Sequence, residues 1–192
     1  MMKRIDFLKA LAEYRTDELV ITAWQSSYAW DELSPSTGNF PSVRTMGECS
    51  TFALGLAIAR PDKRVVVLEG DGSLCMNLAS LITIANAAPP NFYQFIVHNR
   101  VYETTGGQTL PNVDNLDFLL IASGAGIRQL HRYSAADTFR AELPQVMQEK
   151  GPVFTVLDIE PDETHLSAAI FSQKIRSRDA IVAKQFRDAL RS

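Results

Sequence analysis

The sequence holds only two cysteines, Cys49 and Cys75, each inside an apolar, helix-like stretch. So small a supply excludes a disulfide framework and a cysteine-built metal cluster, and both thiols read as small buried hydrophobes of a reducing cytoplasm. Positive charge is not in excess either. The formal net charge of −3 excludes nonspecific nucleic-acid binding, which needs a basic surface. An anionic ligand has to be held by a local site and not by the field of the whole protein. No uncharged apolar run approaches membrane-spanning length, so no membrane partner is expected. The N-terminus, Met1-Met2-Lys3-Arg4-Ile5-Asp6, passes into a charge-bearing amphipathic pattern without a signal-peptide core, and the expectation is a soluble, cytoplasmic protein.

What is present is the composition of an ordinary globular domain, 46% hydrophobic and 21% charged over 192 residues. Ile5, Leu8, Leu11 and Ala12 stand at helical spacing. Leu19–Thr22 reads as a short buried strand, Ser34–Pro41 as a polar loop, and Thr51–Ala59 as a helix stopped by Arg60-Pro61-Asp62. Val65–Leu68 is a β-branched run of the kind found in buried parallel strands, and it leads directly into Gly70-Asp71-Gly72. A helix over Leu74–Ala87 and a strand over Phe92–Val97 follow, the strand ending at His98-Asn99. Beyond a loop at Thr104–Asn112, the pattern predicts a helix at Leu116–Ala122, a strand at Ile127–Leu130, a helix at Ala135–Gln148 with Pro144 inside it, and a strand at Val153–Ile159. Alternating strands and helices imply a doubly wound parallel α/β sheet in one domain spanning 1–192, with a polar, partly helical arm over about 161–192.

In such sheets ligands bind beyond the C-terminal ends of the strands. Two of these ends carry hard oxygen donors, Asp71 between glycines and Asn99. Glycines admit a close ligand, amides opening a helix favour phosphate, and Mg²⁺ takes carboxylate, amide and carbonyl oxygens alongside phosphate oxygens. The turn lacks both the dinucleotide Gly-x-Gly-x-x-Gly and the P-loop lysine, which disfavours a nucleotide-binding domain. A lone Gly-Asp-Gly is often only a turn. Here, strand, Gly-Asp-Gly, helix, strand and Asn occur in order, with 26 residues between Gly72 and Asn99.

That arrangement resembles the motif of the thiamine diphosphate (ThDP) enzymes, in the domain that binds the cofactor's diphosphate. The resemblance implies Asp71 and Asn99 as Mg²⁺ side-chain ligands, the Val101 carbonyl as a third, and Gly70, Gly72 and Ser73 against the diphosphate, with Tyr102 adjoining. The family's Asn pair is here His98-Asn99, so the metal ligand is kept and His98 becomes a hydrogen-bonding stand-in. Upstream, Arg44-Thr45-Met46-Gly47-Glu48 is similar to the family's Gly-Ser-Met-Gly segment. Met46 would be the apolar wedge that bends the cofactor, with Gly47 beside it; without the resemblance it reads as a plain core methionine. Downstream, Tyr102-Glu103-Thr104-Thr105-Gly106-Gly107-Gln108 resembles a loop of phosphonopyruvate decarboxylases and sulfopyruvate decarboxylase β subunits, the alternative being a flexible surface turn.

The resemblance covers roughly 18–160 and leaves out the family's pyrimidine-binding domain, which supplies an activating Glu. It therefore implies a partner subunit carrying that Glu and a hetero-oligomeric enzyme. Glu48, Glu69 and Glu103 match positions on the diphosphate side, not the activating one. The implied activity is decarboxylation of a small anionic 2-oxo acid such as 3-sulfopyruvate or 3-phosphonopyruvate. Arg44, His98, Arg100, Glu103 and Gln108 are the candidate substrate residues, with solvation or pairing to partner carboxylates as the alternative for the two arginines. A carboligase of the acetohydroxyacid type and a non-catalytic ThDP-binding module remain open beside it.

Overall fold

The computed structural model of the chain describes residues 1–41, 46–162 and 179–191. Helix α1 (Arg4–Tyr14) precedes β1 (Leu19–Thr22), α2 (Gln25–Leu33), β2 (Asn39–Pro41), α3 (Cys49–Ala59) and β3 (Val65–Gly70). Then come α4 (Asp71–Cys75), α5 (Ser80–Ala87), β4 (Phe92–His98), the short β5 (Val101–Tyr102), a 3₁₀ turn (Glu103–Thr105) and β6 (Gln108–Thr109). The chain continues through α6 (Phe118–Ala125), β7 (Gln129–Tyr133), α7 (Ala136–Val146) and β8 (Val153–Asp158) to a helix we number α8 (Asp179–Ala189).

Six strands form one parallel sheet in the order β2-β1-β3-β4-β8-β7. Its central strands are nearly all apolar because both faces are covered. Alternation sends Ile21, Val65, Val67, Ile96 and Val156 to a layer holding α3, α5 and α6. Val20, Val66, Leu68, Phe95 and Leu157 face the other layer, where α1 packs against α2 and α7. The chain leaves β1 for β2 and returns to β3 on β1's other side, a reversal that opens a crevice beyond the C-terminal ends of β1 and β3. No helix among the described residues is long and apolar enough to cross a membrane.

Several expectations need correction. The predicted helix over Leu74–Ala87 is two helices separated at 76–79, where the Asn77 side chain turns to donate to the Gly47 carbonyl and Ser80 Oγ donates to the Asn77 carbonyl. In α1 the inward face is Phe7, Leu8, Ala10 and Leu11, while Ile5 is exposed. Helix α6 begins two residues later than predicted because Asp117 caps it, accepting from the Leu119 amide at 2.9 Å, and Gly126 ends it at φ 109°. Strand β7 accordingly starts at Gln129, Ile127 being used to close that cap through the Ala122 carbonyl. Helix α2 and strand β2 lie where no regular element was expected. The arm is not wholly polar: Phe186 of α8 is buried against Phe40, their rings 5.1 Å apart.

Candidate functional site

One cleft gathers the loops at three strand ends. Ala23–Ser26 follow β1, Gly70–Ser73 end β3 and open α4, and Val97 and Asn99 end β4; Met46, Val101–Thr105 and Arg4 complete the wall. Of these, Ala23, Trp24, Gln25, Ser26 and Arg4 were not found from the sequence. The backbone bears a mark there: Trp24 has φ 45°, a conformation rare for a bulky residue, at the turn from β1 into α2.

Asp71 is 1% exposed and its carboxylate is oriented by three donors. The Gly72 amide donates to Oδ1 at 2.7 Å, while the Arg100 amide at 2.7 Å and His98 Nδ1 at 2.8 Å reach Oδ2. A carboxylate oxygen accepts two or more bonds, so Oδ1 retains a lone pair for a cation. Asn99, also buried, accepts from the Val101 amide at 3.1 Å with its Oδ1 and likewise retains acceptor capacity. Two hard oxygens on adjacent strand ends, beside the backbone of Val101, are a donor set suited to Mg²⁺. Gly72 is a cradle that a side chain would fill: a Cβ there would lie 2.6 Å from Tyr102 Cδ1. Gly47 takes φ 84°, donates its amide to Ser73 Oγ at 2.9 Å and accepts at its carbonyl from Asn77 Nδ2 at 3.0 Å, which pins the Met46–Gly47 segment beside α4.

The candidate substrate residues are dispersed. The His98 ring turns from the cleft to Asp71 and packs edge-on against Phe118. Arg100 gives the site its backbone amide, whereas its guanidinium pairs with the exposed Asp114 at 2.5 Å. Glu103 lines the cleft, yet its carboxylate is already engaged: Arg4 Nη2 lies 2.5 Å from Oε2 and the Asp162 amide donates to Oε1 at 2.8 Å. Gln108 is exposed and bonded to Thr105. Arg44 lies outside the described residues. The substrate reading of His98, Arg100 and Gln108 therefore has no support from side-chain placement, and the Glu103 carboxylate is held by Arg4 and the Asp162 amide.

Beneath the cleft, Glu69 is 1% exposed and receives hydrogen bonds from Ser50, Ser73 and Gln94. Burial raises its carboxyl above the usual range, against the pull of those three donors. Burial also lifts the half-buried Cys75 thiol to about 11, with the nearby Asp71 charge adding to the effect. Both cysteines are free thiols, Cys49 buried as expected and Cys75 only partly so.

Residues 21–157 match the family model "Thiamine pyrophosphate enzyme, C-terminal TPP binding domain". The sulfopyruvate decarboxylase subunit beta of Methanothermobacter thermautotrophicus is 34% identical over 162 residues, which cover 84% of this chain and 84% of that protein. The phosphonopyruvate decarboxylase of Streptomyces hygroscopicus is 33% identical over 171 residues, 88% of this chain but only 41% of that longer protein. Among solved structures, the thiamine diphosphate-dependent 4-hydroxybenzoylformate decarboxylase of Rhodococcus jostii RHA1 superposes with a TM-score of 0.71 at 21% identity, covering 84% of this chain and 33% of that one, a likeness of fold.

Proposed function

The chain belongs to the thiamine pyrophosphate enzymes, as their C-terminal TPP-binding domain, and we propose that it is the diphosphate- and Mg²⁺-holding subunit of a two-subunit decarboxylase of small anionic 2-oxo acids. The observation that carries the proposal is the meeting of buried Asp71 and Asn99 on adjacent strand ends in one cleft. The likeness to a beta subunit along most of both chains supports the two-subunit form. Asp71, Asn99 and the Val101 carbonyl would hold Mg²⁺. The turn Gly70-Asp71-Gly72-Ser73 would receive the diphosphate, Met46 would support the bend of the cofactor, and Tyr102 would wall it in. When bound, the cofactor supplies the electron sink for loss of carbon dioxide; binding, orientation and exclusion of water fall to the protein.

A pyrimidine-binding partner would close the cleft and bring the activating Glu. The glutamates near the cleft, Glu48, Glu69 and Glu103, each have partners within this chain. Glu69 is buried in its own network, Glu103 is tied to Arg4, and Glu48 is exposed with Thr51 donating to it. The named relatives point to 3-sulfopyruvate or 3-phosphonopyruvate as the substrate class. Arg4, the arginine lining the cleft among the described residues, already pairs with Glu103 and Asp162. The cation for the substrate's second anion would then come from the partner or from elsewhere in this chain, Arg44 being the candidate the sequence offers.

The test is decarboxylation of a panel of 2-oxo acids by the chain alone and with a pyrimidine-domain subunit. The assembled complex is expected to prefer an acid with a second strong anion over pyruvate, and the chain alone to be silent. Turnover by the chain alone, or a preference for branched or aromatic acids, would refute the reading. Product analysis separates release of carbon dioxide from carboligation.

A further inference from the structure

Glu69 interrupts the apolar run of β3 one residue before the Gly70-Asp71-Gly72 turn. Strand alternation turns it to the α3 face together with Val65 and Val67. It does not line the cleft. Burying a carboxylate among neutral groups is costly, and an apolar residue would serve the strand better. Its position has a geometric consequence instead. Ser73 Oγ donates to Oε1 at 2.7 Å, whereas Ser50 Oγ and Gln94 Nε2 donate to Oε2.

The two oxygens thus hold different partners. Oε2 joins the first turn of α3 to β4, through Ser50 and Gln94. Oε1 holds Ser73, which lines the cleft. The Gly47 amide can only donate, and it donates to Ser73 Oγ at 2.9 Å, so the Ser73 proton must go to Glu69. The chain of bonds runs in one direction, from Gly47 to Ser73 to Glu69. We propose that Glu69 is a positioning residue which, acting through the Ser73 hydroxyl, sets the Met46–Gly47 segment against the Gly70–Ser73 turn. Both segments line the cleft; the Ser73 hydroxyl joins them, and Asn77 holds the Gly47 carbonyl. The consequence for catalysis rests on the cofactor reading above; the geometry does not.

Hydrogen exchange at the Gly47 amide, measured on the full chain, tests the positioning without cofactor or partner. Glu69→Leu and Ser73→Ala are each expected to speed that exchange about tenfold, the effect of one lost buried hydrogen bond. The double variant is expected to exceed neither single one, because both break the same chain of bonds. Glu69→Gln, which keeps an oxygen for the Ser73 hydroxyl, should restore the wild-type rate. Should Glu69→Leu fail to fold, Ser73→Ala and Glu69→Gln still decide. Unchanged exchange in Ser73→Ala, or no difference between Glu69→Gln and Glu69→Leu, would overturn the proposal. In the assembled complex Glu69→Leu should lower turnover about tenfold or more while ThDP affinity falls far less, because Asp71 and Asn99 are untouched. A wild-type complex that binds no ThDP would overturn the functional reading alone, since the exchange results do not involve the cofactor.

Discussion

His98 Nδ1 lies 2.8 Å from Asp71 Oδ2, and both side chains are almost wholly buried. An ionised carboxylate only accepts, so the imidazole donates here and its ring orients Asp71 from behind the cleft. Partners that orient a metal ligand are commonly worth about 10-fold to 100-fold in affinity. Asp71→Ala is therefore expected to abolish Mg²⁺-dependent ThDP binding in calorimetry on the assembled complex, and His98→Ala to weaken it by roughly that range. His98→Asn, a shorter donor, should fall between His98→Ala and wild type. Wild-type affinity in His98→Ala would sever the pair from metal binding.

Gly72 is constrained by Tyr102, not by its own backbone angles. A Cβ at 72 would stand 2.6 Å and 2.8 Å from two carbons of the Tyr102 ring. Gly72→Ala must displace that ring or the turn, at about 1–3 kcal/mol of overpacking. Thermal melts of Gly72→Ala and of Gly72→Ala/Tyr102→Ala check this; the double variant should regain most of the lost stability. If it does not, the strain lies elsewhere in the turn.

Arg4 binds α1 to the far wall of the cleft. Its guanidinium pairs with Glu103 at 2.5 Å and Asp162 at 2.7 Å, and the Arg4 and Glu103 side chains are 8% and 5% exposed. Removing one partner of a buried pair leaves the other charge unpaired, which costs about 3–5 kcal/mol. Arg4→Met should lose stability of that order, and Arg4→Met/Glu103→Leu much less. Denaturant melts give the comparison, and equal losses in the two variants would show that Glu103 is not the group left stranded.

The strands were legible because burial on both faces is written as continuous apolar runs: Leu19–Thr22 coincides with β1, and Val65–Leu68 lies inside β3. Helix α2 was not, because its inward residues include Ser26 and Ser27. Their burial depends on distant partners: Ser27 accepts from Thr22 Oγ1 at 2.9 Å, Arg4 Nη1 reaches Ser26, and Trp30 Nε1 donates to Asn39. No local period encodes such bonds. The same holds at the site. Asp71 and Asn99 stand at strand ends in a recognisable pattern, but Arg4 and Gln25 carry no motif and enter the cleft only through the topology. For His98 and Arg100, nearness in sequence to Asn99 says nothing of side-chain direction: the His98 ring turns to Asp71 and the Arg100 guanidinium to Asp114. A charged residue in an apolar strand, Glu69, was the available signal for the buried network, and its three neutral partners come from α3, α4 and β4.

In the proposed site Met46 would shape the cofactor and not hold it. It lines the cleft, half-buried, on a segment pinned at Gly47 by Ser73 and Asn77. The hard oxygen donors of the cleft lie elsewhere, on Asp71 and Asn99, so in the proposed site a change at 46 would remove apolar support and no metal or phosphate contact. Binding energy that is equal in ground and transition states affects affinity, whereas a contact that matters only to the reactive geometry affects turnover. Met46→Ala is thus expected to leave ThDP affinity within about threefold and to reduce turnover by tenfold or more, whereas Met46→Leu, close in volume, should retain most activity. Calorimetry and steady-state kinetics on the assembled complex read the two quantities separately. Normal turnover in Met46→Ala would make this residue ordinary packing, and a parallel loss of affinity and turnover would mean that it holds the cofactor and does not shape it.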